Sequence, residues 1–209
     1  MTTEAHEGLS HPFDVAIVGL GPVGCLAAIL FAEAGLKVVA VEKEVQVYAL
    51  PRAVNLDGEI IRALQPIGLA ETVNRMMQPI RGNERAGFAN SKREWLFGGN
   101  AVAVGSSGWQ PANMFDQPEL EGFLRTHALS HANVSHYVGY EVTEFFNSTA
   151  QVTLNASGIG TSVSLTAKYL VACDGANSPT RKALGVGWRD LGYDQDWLVV
   201  DVEMLKSHN

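Results

Sequence analysis

Cysteine is scarce in this chain: Cys25 and Cys173 are the two among 209 residues. Two thiols build no disulfide framework, and their scarcity suits a reducing, cytoplasmic setting. Cys25 falls in the first turn of a helix, where a dipole favours thiolate, but a small buried core residue is the reading its apolar surroundings favour. Positive charge is also short, with 15 Lys and Arg against 22 Asp and Glu, a formal net charge of −7. That balance gives no electrostatic footprint for nucleic acid or an anionic membrane. The apolar stretch over residues 15–34 is interrupted by Gly19, Gly21, Pro22 and Gly24. Such an interrupted run excludes a membrane helix and reads as a strand followed by a helix.

Other motifs are missing as well. His127 and His131 stand four apart, but there is no H-E-x-x-H arrangement and no third ligand, so no metal site is expected. A nucleophile elbow, repeats and low-complexity segments are absent, and no acid and base pair stands out to nominate as catalytic. The residues before 12 are short, polar and acidic, unlike a secretory signal. The remaining expectation is a globular α/β protein with a small-molecule partner, and nothing here sets or forbids a homo-oligomer.

What is present begins with Gly19-Leu20-Gly21-Pro22-Val23-Gly24, directly after the apolar residues 15–18. Gly19 permits a tight turn out of a strand, Gly21 lets backbone approach a phosphate, and Gly24 lets the next helix pack close to the sheet. The first-turn amides of that helix then point at an anion. A second strand, residues 37–42, ends in Glu42, about 20 residues past the central glycine, where a carboxylate accepts hydrogen bonds from ribose hydroxyls. Its charge disfavours a 2′-phosphate at this position. Strand, glycine turn, helix, strand and terminal acid together indicate a dinucleotide held by its pyrophosphate, without separating FAD from NAD.

Further along, helices are expected at 57–64, after the N-cap Asp116 with Leu120, Phe123, Leu124 and Leu129 in helical spacing, and at 179–184. Residues 85–104 change to short β runs around Trp95 and Phe97. Those two and Trp109 suit either a core or an aromatic pocket, core being favoured. Strands are expected at 134–138, 141–146, 151–156, 162–167 and 169–173, the middle three as an antiparallel meander, and at 197–204.

The run Asp174-Gly175-Ala176-Asn177-Ser178-Pro179-Thr180-Arg181 has the form D-G-x-x-S-x-x-R. With the glycine turn at 19–24, it resembles the flavoprotein monooxygenases of the p-hydroxybenzoate hydroxylase type. Within them the chain is most similar to the 3-(3-hydroxyphenyl)propionate hydroxylases and related phenol hydroxylases. The supporting stretches are Val41-Glu42-Lys43, Pro51-Arg52-Ala53-Val54, Arg62-Ala63-Leu64-Gln65, Gln117-Pro118-Glu119-Leu120 and Val171-Ala172-Cys173-Asp174-Gly175.

The resemblance implies a Rossmann-like FAD-binding domain over residues 1–80 and 110–190. It carries a parallel sheet and a β-meander, with the start of a β-rich substrate domain over 81–109 and 191–209. It assigns FAD to Gly19, Gly21, Pro22, Val23 and Gly24, to Glu42 and Lys43, and to Arg52 and Gln117 from neighbouring loops. Asp174, Gly175 and Arg181 take FAD and NAD(P)H roles. It further implies NADH or NADPH as electron donor, and O₂ and a phenolic small molecule as co-substrates. Members of the group are longer and carry a Gly-Asp motif that this chain lacks. The expectation is therefore an N-terminal portion of such an enzyme, the alternative being a non-catalytic module that holds FAD or its ADP half.

Overall fold

The computed structural model describes residues 13–50, 52–80, 85–100, 104–196 and 198. In chain order the elements are β1 (Phe13–Val18), α1 (Pro22–Glu33), β2 (Val38–Glu42), β3 (Asn55–Leu56), α2 (Gly58–Ala63), α3 (Ala70–Met76), β4 (Gln78–Pro79), β5 (Arg85–Ala89) and β6 (Trp95–Asn100). There follow β7 (Asn113–Met114), α4 (Gln117–Ser130), β8 (Val134–Val138), β9 (Glu141–Asn147), β10 (Val152–Gly158), β11 (Thr161–Ala172) and α5 (Pro179–Ala183).

The main sheet has the order β8-β2-β1-β11-β10-β9. Its β8, β2, β1 and β11 strands are parallel, and β11, β10 and β9 are antiparallel. Both faces of β1 and β2 are covered, which is why they read as continuous apolar runs rather than alternating ones. Val15, Ile17, Val38 and Ala40 pack with α1 and α4 through Cys25, Ala28, Ile29, Leu120, Leu124 and Ala128. Their neighbours Ala16, Val18, Val39 and Val41 enter a second core with Val152, Leu154, Ala156, Leu165 and Ala167 of the meander. Helices α2 and α4 start where the sequence has Asp57 and Asp116, whose carboxylates accept the N–H groups of Glu59 and Ile60, and of Glu119. Each such cap stabilises its helix by about 1 kcal/mol.

Two expected strands, 162–167 and 169–173, are one. Strand β11 pairs through Ala167 with β10 and from Ala167 onward with β1, so a single extended segment serves two neighbours in succession. Lys168, which falls between the two expected spans, lies on the surface and binds Asp14 at 2.6 Å. Three short strands, β3, β7 and β4, form a small sheet that the sequence reading did not foresee. The hairpin β5–β6 corrects the assignment of its aromatics to the core: Phe97 is exposed and stacks on Phe88 with centroids 4.4 Å apart, and Trp95 is 39% exposed. Trp109 does pack against the main core. The strand expected at 197–204 lies outside the described residues, apart from Leu198, which belongs to no strand. No described helix is long and apolar enough to cross a membrane.

Candidate functional site

In a parallel sheet all strands deliver their carboxyl ends to one edge. Here β1 ends at the 19–24 turn, β2 at Glu42, β8 before Gly139, and β11 before Cys173 and Asp174. Strand β1 lies between β2, reached through α1, and β11, reached from the far end of the chain, so the edge beside β1 is a topological switch point. Ligands bind in the crevice such a reversal opens.

The glycines explain themselves in atomic terms. Gly19 has φ +97°, and a Cβ there would lie 2.4 Å from the Cys173 carbonyl oxygen. A Cβ on Gly24 would lie 1.9 Å from the Gly19 carbonyl oxygen and 3.2 Å from Cys173 Cβ. Both distances are far inside van der Waals contact, so these two glycines let the turn, α1 and the end of β11 meet. Gly21 differs, with ordinary backbone angles and nothing within 4 Å of an added Cβ. It is the N-cap of α1 and supplies no side-chain cap, and Pro22 follows. The first turn therefore has amides without intrahelical acceptors beside open space, the cradle an anionic group requires.

Glu42 closes the other side of this turn. Its Oε2 accepts the N–H of Leu20 at 2.6 Å, and Oε1 accepts that of Glu44 at 2.7 Å. Each oxygen keeps a second lone pair for a ribose hydroxyl. The residue thus holds the glycine turn as well as standing where sequence spacing expects a ribose ligand. Lys43 beside it is exposed.

The second motif is a capping device. Asp174 accepts the Ser178 hydroxyl at 2.5 Å and the Thr180 N–H at 2.9 Å, while Ser178 Oγ accepts the N–H of Arg181 at 2.9 Å. Burial pushes the Asp174 carboxyl up, but the bonds from Ser178 and Thr180 outweigh it and hold the group below the usual carboxylate range. Gly175, at φ +81°, makes the turn between them. Arg181 follows on α5, its guanidinium 4.7 Å over the Trp188 ring. Its Nε and Nη1 are buried without an acceptor in the structure, an arrangement that suits an anionic ligand.

Arg52 and Gln117 are also together. The Gln117 Oε1 accepts both the Arg52 and the Ala53 N–H at 2.9 Å. Arg52 itself is exposed, its guanidinium 4.7 Å over the Tyr48 ring. Sequence reasoning missed Glu121 and Arg125, which are buried on α4 one and two turns beyond Gln117. Their spacing of four was the available signal. Cys25 is fully buried, donates to the Leu20 carbonyl at 3.1 Å, and burial pushes its thiol up to about 12, so no thiolate chemistry resides there. His131 lies beyond the last turn of α4, facing Glu33 at 3.5 Å, and no group of potential metal ligands occurs among the described residues. A cavity of about 450 Å³ beside α2, lined by Glu59, Arg62, Ala63, Ser106 and Ser107, shares no residue with either glycine motif.

Residues 12–208 match the model of the FAD binding domain family. Two 3-(3-hydroxy-phenyl)propionate/3-hydroxycinnamic acid hydroxylases of Burkholderia vietnamiensis are 33% and 36% identical over 190 and 191 residues. The matches cover 90% and 91% of this chain but 30% and 34% of those proteins, so the chain spans about a third of their length. Among solved structures, p-nitrophenol 4-monooxygenase PnpA from Pseudomonas putida DLL-E4 superposes with a TM-score of 0.72 at 28% identity, over 83% of this chain and 44% of that one. Aklavinone-11 hydroxylase, solved with FAD and aklavinone, gives 0.70 at 26% identity, over 85% and 36%.

Proposed function

We propose, from the premise that this chain belongs to the FAD binding domain family, that it is the FAD-holding part of an NAD(P)H-dependent hydroxylase acting on a phenolic ring. The carrying observation is the open, uncapped N-terminus of α1 at Gly21, set at the sheet's switch point between Glu42 and the Asp174–Arg181 segment. In this reading the turn formed by Gly19, Gly21, Pro22, Val23 and Gly24 takes the pyrophosphate on backbone amides. Glu42 accepts the adenosine ribose hydroxyls, with Lys43 beside it. Arg52 reaches the cofactor from its loop, and Asp174, Gly175 and Arg181 close the far side and meet the nicotinamide donor.

When bound, FAD supplies electron transfer from NAD(P)H and the activation of O₂. The protein's part is to orient and to neutralise charge. Helix-terminal amides and the orphaned Arg181 nitrogens offset phosphate charge, while the bonds accepted by Glu42 keep the turn in its binding shape before the ligand arrives. A phenolic substrate is supported by the names of the similar hydroxylases.

Titrating FAD into the purified chain and following flavin fluorescence tests the binding reading. Saturable one-to-one quenching is expected, and no quenching at any FAD concentration overturns it. NAD(P)H oxidation stimulated by 3-(3-hydroxyphenyl)propionate supports hydroxylation by this chain; FAD binding without it favours a binding module.

A further inference from the structure

Helix α4 buries an arginine. Arg125 is 6% exposed, and among the described residues it forms no ion pair. A buried guanidinium is costly unless its donors are bonded. Its Nη2 donates to the carbonyl of Glu44, an exposed residue just past the end of β2. The N–H of that same residue donates to Glu42 Oε1 at 2.7 Å, and Glu42 Oε2 accepts the N–H of Leu20 at 2.6 Å. These bonds form one path from the core side of α4, through residue 44 and the Glu42 carboxylate, to the glycine turn.

The backbone of Glu42 is secured separately. Its carbonyl accepts the N–H groups of Gly139 at 2.7 Å and Tyr140 at 3.1 Å. What remains to be fixed is the carboxylate, whose direction is set by the amides of Leu20 and Glu44. The Leu20 amide belongs to a turn already tied to β2, since the Gly19 N–H donates to the Val41 carbonyl at 2.8 Å. The Glu44 amide sits in an exposed segment, where water competes for every backbone group. We propose that Arg125 is a positioning residue for Glu42: by holding the Glu44 carbonyl it keeps the Glu44 N–H aimed at the Glu42 carboxylate, and so orients that carboxylate toward the adenosine ribose. Arginine suits the task because its charge is permanent and its planar fork loses less freedom per bond than a lysine head. The ribose half of this inference rests on the FAD reading above; the hydrogen-bond half does not.

Arg125→Met keeps a long apolar stem and removes the donors. Hydrogen exchange of the intact chain without nucleotide should show the Glu44 amide protected in the wild type. In R125M it should exchange about tenfold faster, the loss of roughly one net hydrogen bond. Free exchange of that amide in the wild type overturns the proposal without any variant, and so does exchange left unchanged by R125M. Calorimetry with ADP and with 2′,3′-dideoxy-ADP then reads the carboxylate itself. The wild type should prefer ADP by about tenfold or more, because hydrogen bonds to a charged acceptor are among the stronger ones. R125M should bring that preference close to one, chiefly by weakening ADP, and should cost ADP nothing further in a Glu42→Ala background. Equal weakening of both nucleotides overturns the proposal, because neither a loosened fold nor a lost positive charge reads ribose hydroxyls. A further loss in the Glu42→Ala background also overturns it, since Arg125 then acts by another route. If the wild type does not distinguish the two nucleotides, the ribose reading of Glu42 fails, and Glu44 exchange alone decides whether Arg125 orients the carboxylate.

Discussion

At the scale of single residues, the glycine-rich turn makes opposite demands at neighbouring positions. An alanine at 24 places its Cβ 1.9 Å from the Gly19 carbonyl oxygen, so backbone must move. Overpacking of this kind costs about 1–3 kcal/mol or more, and Gly24→Ala should lower the thermal midpoint and abolish FAD binding together. An alanine at 21 meets nothing, so Gly21→Ala should leave stability within about 0.5 kcal/mol while weakening FAD by at least about tenfold. Equal losses of stability in the two variants would remove the distinction. Glu42→Ala deletes the acceptor for both Leu20 and Glu44 amides and should cost stability as well as FAD affinity. Sequence spacing alone expects only the second loss, because it says where the carboxylate is and not which amides lie beside it. Cys25 tests the burial argument: at pH 8 its thiol should resist alkylation in the folded chain and react once denatured, as mass spectrometry would report.

At the scale of elements, α5 is five residues long and too short to persist by propensity. Its position depends on the Asp174 and Ser178 caps, and through them so does that of Arg181. The folded carboxyl of Asp174 titrates below its ordinary value, so its stabilising contribution is present above the unfolded pKa of about 3.9 and is lost as pH falls through the lower folded value. The destabilisation by Asp174→Ala, measured by denaturant titration, should be clear at pH 7 and shrink below about pH 4. A penalty that stays constant from pH 7 to pH 3 would show that the ionised carboxylate is not what holds α5.

The elements also show how legible the fold was. Helices α1, α2 and α4 and strands β1, β2 and β8 were readable because caps, glycines and apolar runs are local signals. The merger of 162–167 and 169–173 into β11 was not, since Lys168 looks like a break until Asp14, 154 residues away, supplies its partner. Likewise the burial of the polar stripe 117, 121 and 125 was not legible, although its spacing of four was. Its partners come from the segment after β2, and nothing in α4 itself announces them.

At the scale of the whole molecule, among the described residues the sheet is closed on one side of β11 and open on the other. Residues 169–172 pair with β1, and no described strand pairs with their outer edge. Tyr169 there is 71% exposed, and the stacked Phe88 and Phe97 of the β5–β6 hairpin are 54% and 62% exposed. Unpaired strand edges template pairing with another chain, and exposed aromatic patches seek cover. The 209-residue chain should therefore self-associate with rising concentration, as light scattering coupled to size exclusion would record. A lysine on an edge strand blocks such pairing by the cost of desolvating its charge, so Tyr169→Lys should shift the population toward monomer with little change in thermal midpoint. The side chain is mostly in solvent already, which is why the folded state should tolerate it. If Phe88→Ser/Phe97→Ser disperses the chain and Tyr169→Lys does not, association runs through the hairpin rather than the sheet edge. A wild type that stays monomeric at all concentrations would mean that neither surface drives pairing.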